Sequence, residues 1–151
     1  MKTKQLLFEQ LERKMNFLSG FSSSIPTSGW INSIRKALGI SAQQLANKLN
    51  VSRQGVTDME KREAEGAITL KSLKEIANKL DMELVYGFVP KTGSLDLYIE
   101  TKARELAEKI VNRTSNSMKL EDQENSSERI RKSIDERTDE FRKTLPKALW
   151  D

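Results

Sequence analysis

Apolar residues recur along this chain at intervals of three and four, with polar positions between them, and that rhythm predicts a protein built of helices. Leu7, Leu11, Met15 and Leu18 mark an amphipathic helix over 3–18. "SGFSSSIPTSG" (19–29) breaks the rhythm with small residues, one Pro and two Gly, and reads as a linker. Trp30, Ile31, Ile34 and Leu38 form the apolar face of a helix that Gly39 stops. Ser41 is placed to cap a short helix in "AQQLANKL", with Leu45, Ala46 and Leu49 facing inward. "NVS" then turns the chain, Val51 filling the corner and Ser52 capping the next helix. "TLKSLKEIANKL" (69–80) closes a bundle through Leu70, Leu73, Ile76, Ala77 and Leu80. "MELVYGFVP" (82–90) is β-branched and aromatic and ends at proline, which predicts a short strand or extended segment. Helix returns over 94–112, with Ile99, Ala103, Leu106 and Ile110 on one face. After a polar break at "NRTSNS", a last helix spans 125–145 with a narrow stripe of Ile130, Ile134, Phe141 and Leu145.

The helix after Ser52 is the unusual one. In "RQGVTDMEK" only Val56 and Met59 face a core, while Arg53, Gln54, Thr57 and Asp58 point outward. A minimal inner face and a hydrogen-bonding outer face suit a solvated helix, or one whose outer face meets a polar partner.

The arrangement resembles the helix-turn-helix domain of the phage repressor and Cro (Xre-like) family, carried by "LA" at 45–46, "NVSRQGV" at 50–56, Glu60 and "LKEIANKL" at 73–80. The resemblance implies an all-α, lambda-repressor-like bundle over 30–81 whose second motif helix enters the DNA major groove. It implies base reading by Arg53, Gln54, Thr57 and Asp58. Arginine bonds guanine O6/N7, glutamine bonds adenine N6/N7, and a carboxylate can accept from cytosine N4. Phosphate contacts are expected from Ser41, Gln43, Gln44, Ser52 or Lys61. Arg35 and Glu60 match a family pair that forms a partly buried structural ion pair. One departure is Ala42, where family members usually carry a glutamine that braces phosphate and base contacts; Gln43 and Gln44 follow it.

"GWINSIRKALGIS", "EAEGAITLKSLKEIANKLDMELVYGFVP" and the terminal "LW" are similar to the bacterial family called mobile mystery protein A. Its members resemble antitoxins encoded beside a Fic-domain protein. That likeness implies a second role as partner of a Fic enzyme. Fic inhibitors use an S/T-x-x-x-E-G/N helix, which Ser117 and Glu121 echo, with Asp122 in the last place.

Composition narrows the chemistry. There is no cysteine and no histidine, which removes thiol catalysis, disulfides, the usual triads and nearly every transition-metal site. Asp58, Glu60 and Glu63 lie close in sequence but no nucleophile or ligand set accompanies them, so neither an enzyme nor a cofactor is expected. Residues 1–90 hold 13 Lys and Arg against 9 Asp and Glu, and 119–151 hold 8 against 9. The excess of positive charge therefore lies in the first 90 residues, and a formal net +4 is a weak sign of a polyanion partner. Charges interrupt the N-terminal segment too often for a signal peptide, and no apolar run reaches the roughly 18 residues of a membrane span, so the cytoplasm is the expected address.

These observations predict three pieces: an N-terminal helix and linker (1–28), a helix-turn-helix domain (29–90) and a C-terminal helical extension (91–151). The expected function is a DNA-binding repressor that reads a palindromic operator as a homodimer, with 82–90 and 125–150 as dimerisation candidates. The alternative is an antitoxin-like module that binds and restrains a Fic-domain partner through its helical flanks. Trp30 and Trp150 are expected to anchor packing rather than stack on bases.

Overall fold

A computed structural model describes residues 2–120 and 127–151, with side chains outside 115–120. Seven α-helices follow one another among the described residues: α1 (Lys2–Leu18), α2 (Trp30–Ala37), α3 (Ala42–Leu49), α4 (Arg53–Glu65), α5 (Leu70–Lys79), α6 (Leu95–Leu120) and α7 (Ser127–Thr144). Short 3-10 turns occupy Ser22–Ser24 and Lys147–Trp150. The architecture is all-α. None of the described helices is long and apolar enough to cross a membrane.

The chain divides into two compact units. One is Gly20–Gly87; the other joins the N-terminal segment, through Ser19, to everything from Phe88 onward. The first unit holds α2 to α5 around Ile31, Leu45, Ala46, Val56 and Ile76, with Leu49, Val51, Met59, Leu73 and Leu80 packed against them. Ala42 also packs on this cluster. Leu38 and Leu70 do not join it: they are 61% and 46% exposed. Both sit at helix ends, where the periodicity that assigns a face loses its hold because only one neighbouring turn constrains the side chain.

In the second unit α6 packs on α7 through Ala103, Ala107, Phe141 and Leu149, with Leu106, Ile110, Ile134 and Leu145 around them. The ion pairs Arg104–Asp135 (3.0 Å) and Arg142–Asp96 (3.1 Å) advance along one helix while receding along the other, so the two run antiparallel. Both pairs are solvent-facing and contribute only about 0.2–1 kcal/mol each. Alanine at 103 and 107 lets the helices approach closely. Thr138, 2% exposed, turns its hydroxyl back onto the Ile134 carbonyl at 2.7 Å and so can lie in the apolar seam. Tyr98 stacks on Trp150 with ring centroids 6.1 Å apart.

One expectation is corrected. "NRTSNS" is not a break: α6 runs through it to Leu120. Polarity alone does not end a helix; Gly or Pro would, and the run has neither. Thr114 also satisfies its hydroxyl on the Ile110 carbonyl, 3.1 Å, without disturbing the backbone. Of the two alternatives for 82–90, a short strand or an extended segment, the strand does not form. On α1, no residue is buried, and Leu7 and Leu11 remain 61% and 45% exposed.

Candidate nucleic-acid interface

The local chemistry that builds α3 and α4 is explicit. Ser41 accepts the Gln44 N–H on its hydroxyl (3.0 Å), and the Gln44 side chain accepts the Ser41 N–H (2.8 Å), a reciprocal capping box. Asn50, at φ 54°, ends α3 in the left-handed region that asparagine tolerates better than most residues. Its turn delivers Ser52, whose hydroxyl accepts the Gly55 N–H at 3.0 Å and starts α4. Exchanging Ser52 for alanine is expected to cost about 1 kcal/mol, read as a lower denaturation midpoint with unchanged slope.

Arg53, Gln54, Thr57, Asp58 and Lys61 are all exposed on α4, while Val56 and Glu60 are buried behind them. Helical spacing sets Gln54, Asp58 and Lys61 in one row and Arg53 and Thr57 in the next. Gln54 donates its side-chain N–H to Asp58 at 3.1 Å, and Thr57 donates to the Arg53 carbonyl at 3.3 Å. Glycine at 55 keeps the front turn slim; a Cβ there would lie 3.3 Å from the Ser52 hydroxyl.

The back of α4 is fixed by charge. Arg35 of α2 bonds Glu60 through Nε at 2.6 Å and Nη2 at 3.3 Å, and sends Nη1 to the Ile40 carbonyl at 3.2 Å. Asn32 donates at 2.9 Å to Glu60 Oε2, the oxygen that Arg35 Nη2 also reaches. The Arg35 and Glu60 side chains are only 17% and 11% exposed. Burial pushes the Glu60 carboxyl upward, but the hydrogen bonds from Arg35 and Asn32 and the Arg35 charge outweigh it, so its pKa lies below the ordinary glutamate value. The bond to Glu60 raises Arg35 against its own burial.

With this geometry established, residues 31–86 match the protein-family model described as Helix-turn-helix. Over those residues the chain is similar to helix-turn-helix domains, in which the second helix of the motif enters the DNA major groove. No curated protein and no solved structure matches the chain.

Within the helix-turn-helix domain, the phosphate candidates are partly occupied already. The Ser41 and Ser52 hydroxyls accept helix N–H groups and keep their own O–H to donate. Gln44 has given its carbonyl to the capping box, which leaves its NH2 end for a phosphate. Gln43 donates to Asn47 at 2.9 Å. Trp30 stacks on Phe21, centroids 5.9 Å apart, with its backbone N–H held from α4.

That last contact is one that sequence reasoning missed. Glu63 reaches from α4 to the start of α2 and accepts the N–H groups of Trp30 (2.8 Å) and Ile31 (2.9 Å), capping a helix whose own N-cap residue makes no side-chain hydrogen bond. The missing cap was the available signal: Gly29 precedes α2 with no side chain to supply an acceptor. Gly29 is required there, because its φ is +87° and a Cβ would fall 2.8 Å from Glu63 Oε1. Gly29→Ala is therefore expected to destabilise the domain by roughly 2 kcal/mol in thermal or denaturant melts.

Ser117 lies on α6, but its side chain, like all of Glu121 and Asp122, falls outside the described residues.

Proposed function

We propose that the chain is a sequence-specific transcriptional repressor that binds a palindromic operator as a homodimer and occludes a promoter. What supports this most is the division of labour on α4. Val56 and Glu60 lock one side to the domain, and the other side offers Arg53, Gln54, Thr57 and Asp58 to solvent from a capped, stiff helix. Arg53 and Gln54 stand in its first turn, the part of a recognition helix that meets base edges. Ser41, Gln43, Gln44, Ser52 and Lys61 would hold phosphates and set the register, with affinity that falls as salt rises. Two domains related by a two-fold axis would read half-sites about 34 Å apart.

The protein would act in the cytoplasm, on the nucleoid when bound, and without chemistry of its own. Selection of binding sequences from random duplex DNA with the purified chain tests the reading. One recurrent, inverted-repeat sequence is expected; recovery of unenriched DNA would contradict sequence-specific reading. The narrower affiliation, mobile mystery protein A, and a Fic-domain partner rest on the sequence resemblance alone.

A further inference from the structure

Residues 83–89, which join the two units, have the composition of a strand and the hydrogen bonding of none. Met82 still donates its N–H to the Ala77 carbonyl at 2.8 Å, closing α5. From Glu83 to Val89 no backbone group bonds to another among the described residues, and the next bond runs from the Gly93 N–H to the Pro90 carbonyl, 3.1 Å. Val85, Tyr86 and Phe88 are 67%, 60% and 79% exposed. Unpaired backbone beside exposed β-branched and aromatic side chains is a template for strand addition.

The segment is complementary to itself in one antiparallel register. With Gly87 set against Gly87 of a second copy, Tyr86 faces Phe88, Val85 faces Val89, Leu84 faces Pro90, and Glu83 faces Lys91. Apolar residues meet apolar ones, and opposite charges close both ends. Moving the axis to Tyr86 sets Glu83 against Val89 and Val85 against Gly87, which discards the ion pairs. Antiparallel pairs alternate between hydrogen-bonded and non-bonded. If Gly87 is in a bonded pair, Pro90 falls in a non-bonded one, where N and C=O both point away from the partner strand. That placement accommodates a residue without an N–H and leaves its carbonyl on Gly93 undisturbed.

We propose that residues 84–90 pair antiparallel with the same residues of a second copy, Gly87 on the two-fold axis, and that this pairing supplies the dimer. The need for a dimer rests on the DNA-reading proposal; the register rests on the segment itself. Two strands alone are marginally stable, so the pairing is weak in the free protein and is reinforced when adjacent half-sites hold two copies together.

The chain has no cysteine, so single cysteines report proximity cleanly. Full-length Gly87→Cys, oxidised by copper–phenanthroline in air, is expected to give a disulfide dimer. Val85→Cys is expected to stay monomeric, because its two copies would lie about 13 Å apart along the pair. Mixing Tyr86→Cys with Phe88→Cys chains is expected to give the crossed dimer, which covers the case of a Gly87 variant that folds poorly. Glu83→Lys in the Gly87→Cys background should slow cross-linking several-fold, and adding Lys91→Glu should restore it. Cross-linking at Val85 as fast as at Gly87, or none at Gly87 and none in the mixture, overturns the pairing. Binding of selected operator DNA is scored separately. A chain that binds DNA but gives neither the Gly87 nor the mixed cross-link sinks this pairing alone, and a cross-linked chain blind to sequence sinks only the DNA reading.

Discussion

Glu60→Ala is expected to lower the stability of the helix-turn-helix domain by about 3 kcal/mol, the lower end of the range for breaking a buried ion pair. The substitution strands the Arg35 guanidinium, 17% exposed, with the Ile40 carbonyl as its remaining partner, and leaves the Asn32 amide without its acceptor. Arg35→Ala should do comparable damage from the other side, and the two losses should be far from additive when combined. The pair also has a pH signature. Because the Glu60 pKa is depressed, its contribution is present in full above the ordinary glutamate value of 4.5 and is lost as pH falls through the lower folded-state value. Arg35 stays charged throughout, so it adds no dependence of its own in this window. Denaturant midpoints of the natural chain and Glu60→Gln should therefore converge as solutions are acidified below pH 4.5. A constant gap would show that the pair carries no linked proton.

Loss of base reading should be the larger functional effect. Arg53→Ala is expected to weaken binding to the selected operator by about 1–3 kcal/mol and to equalise preference at one position of each half-site. Gln54→Ala should do the same at a neighbouring position. Lys61→Ala should act differently: a nearly uniform loss across sequences, with the salt slope reduced by about 1. Asp58 divides two outcomes. As a base reader, its alanine variant relaxes preference at a position of its own. As the acceptor that orients the Gln54 amide, it relaxes the position that Gln54 reads. Because these side chains are exposed on the free protein, none of the four substitutions should change the free energy of unfolding by more than about 0.5 kcal/mol.

Much of this architecture is legible in the residues because several local signals agree. Around α3 and α4 the serine caps, the Asn50 turn, the inward Leu45, Ala46 and Val56 and the sparse inner face all favour the same two helices. What periodicity cannot give is anything depending on contact between distant segments. Glu63 lies thirty-odd positions from the N–H groups it caps, and nothing in its own helix marks it. The length of α6 is underread when a polar run without Gly or Pro is treated as a stop. The exposure of Leu38 and Leu70 shows the limit of assigning a face at a helix end. The stripe on α1 makes the same point: spacing declares an apolar face, but only a partner surface buries it.

The base-reading residues are of another kind. Their identity comes from chemistry and family resemblance, and all four stand exposed on α4. The most direct measurement is therefore a titration of the Arg53→Ala, Gln54→Ala double variant against the selected operator and against scrambled duplex of the same length. The double variant is expected to keep its fold and its weak, salt-sensitive binding to the scrambled duplex, but no longer to distinguish the operator from it. An unchanged ratio of operator to scrambled affinity would contradict the assignment of α4 as the helix that reads DNA.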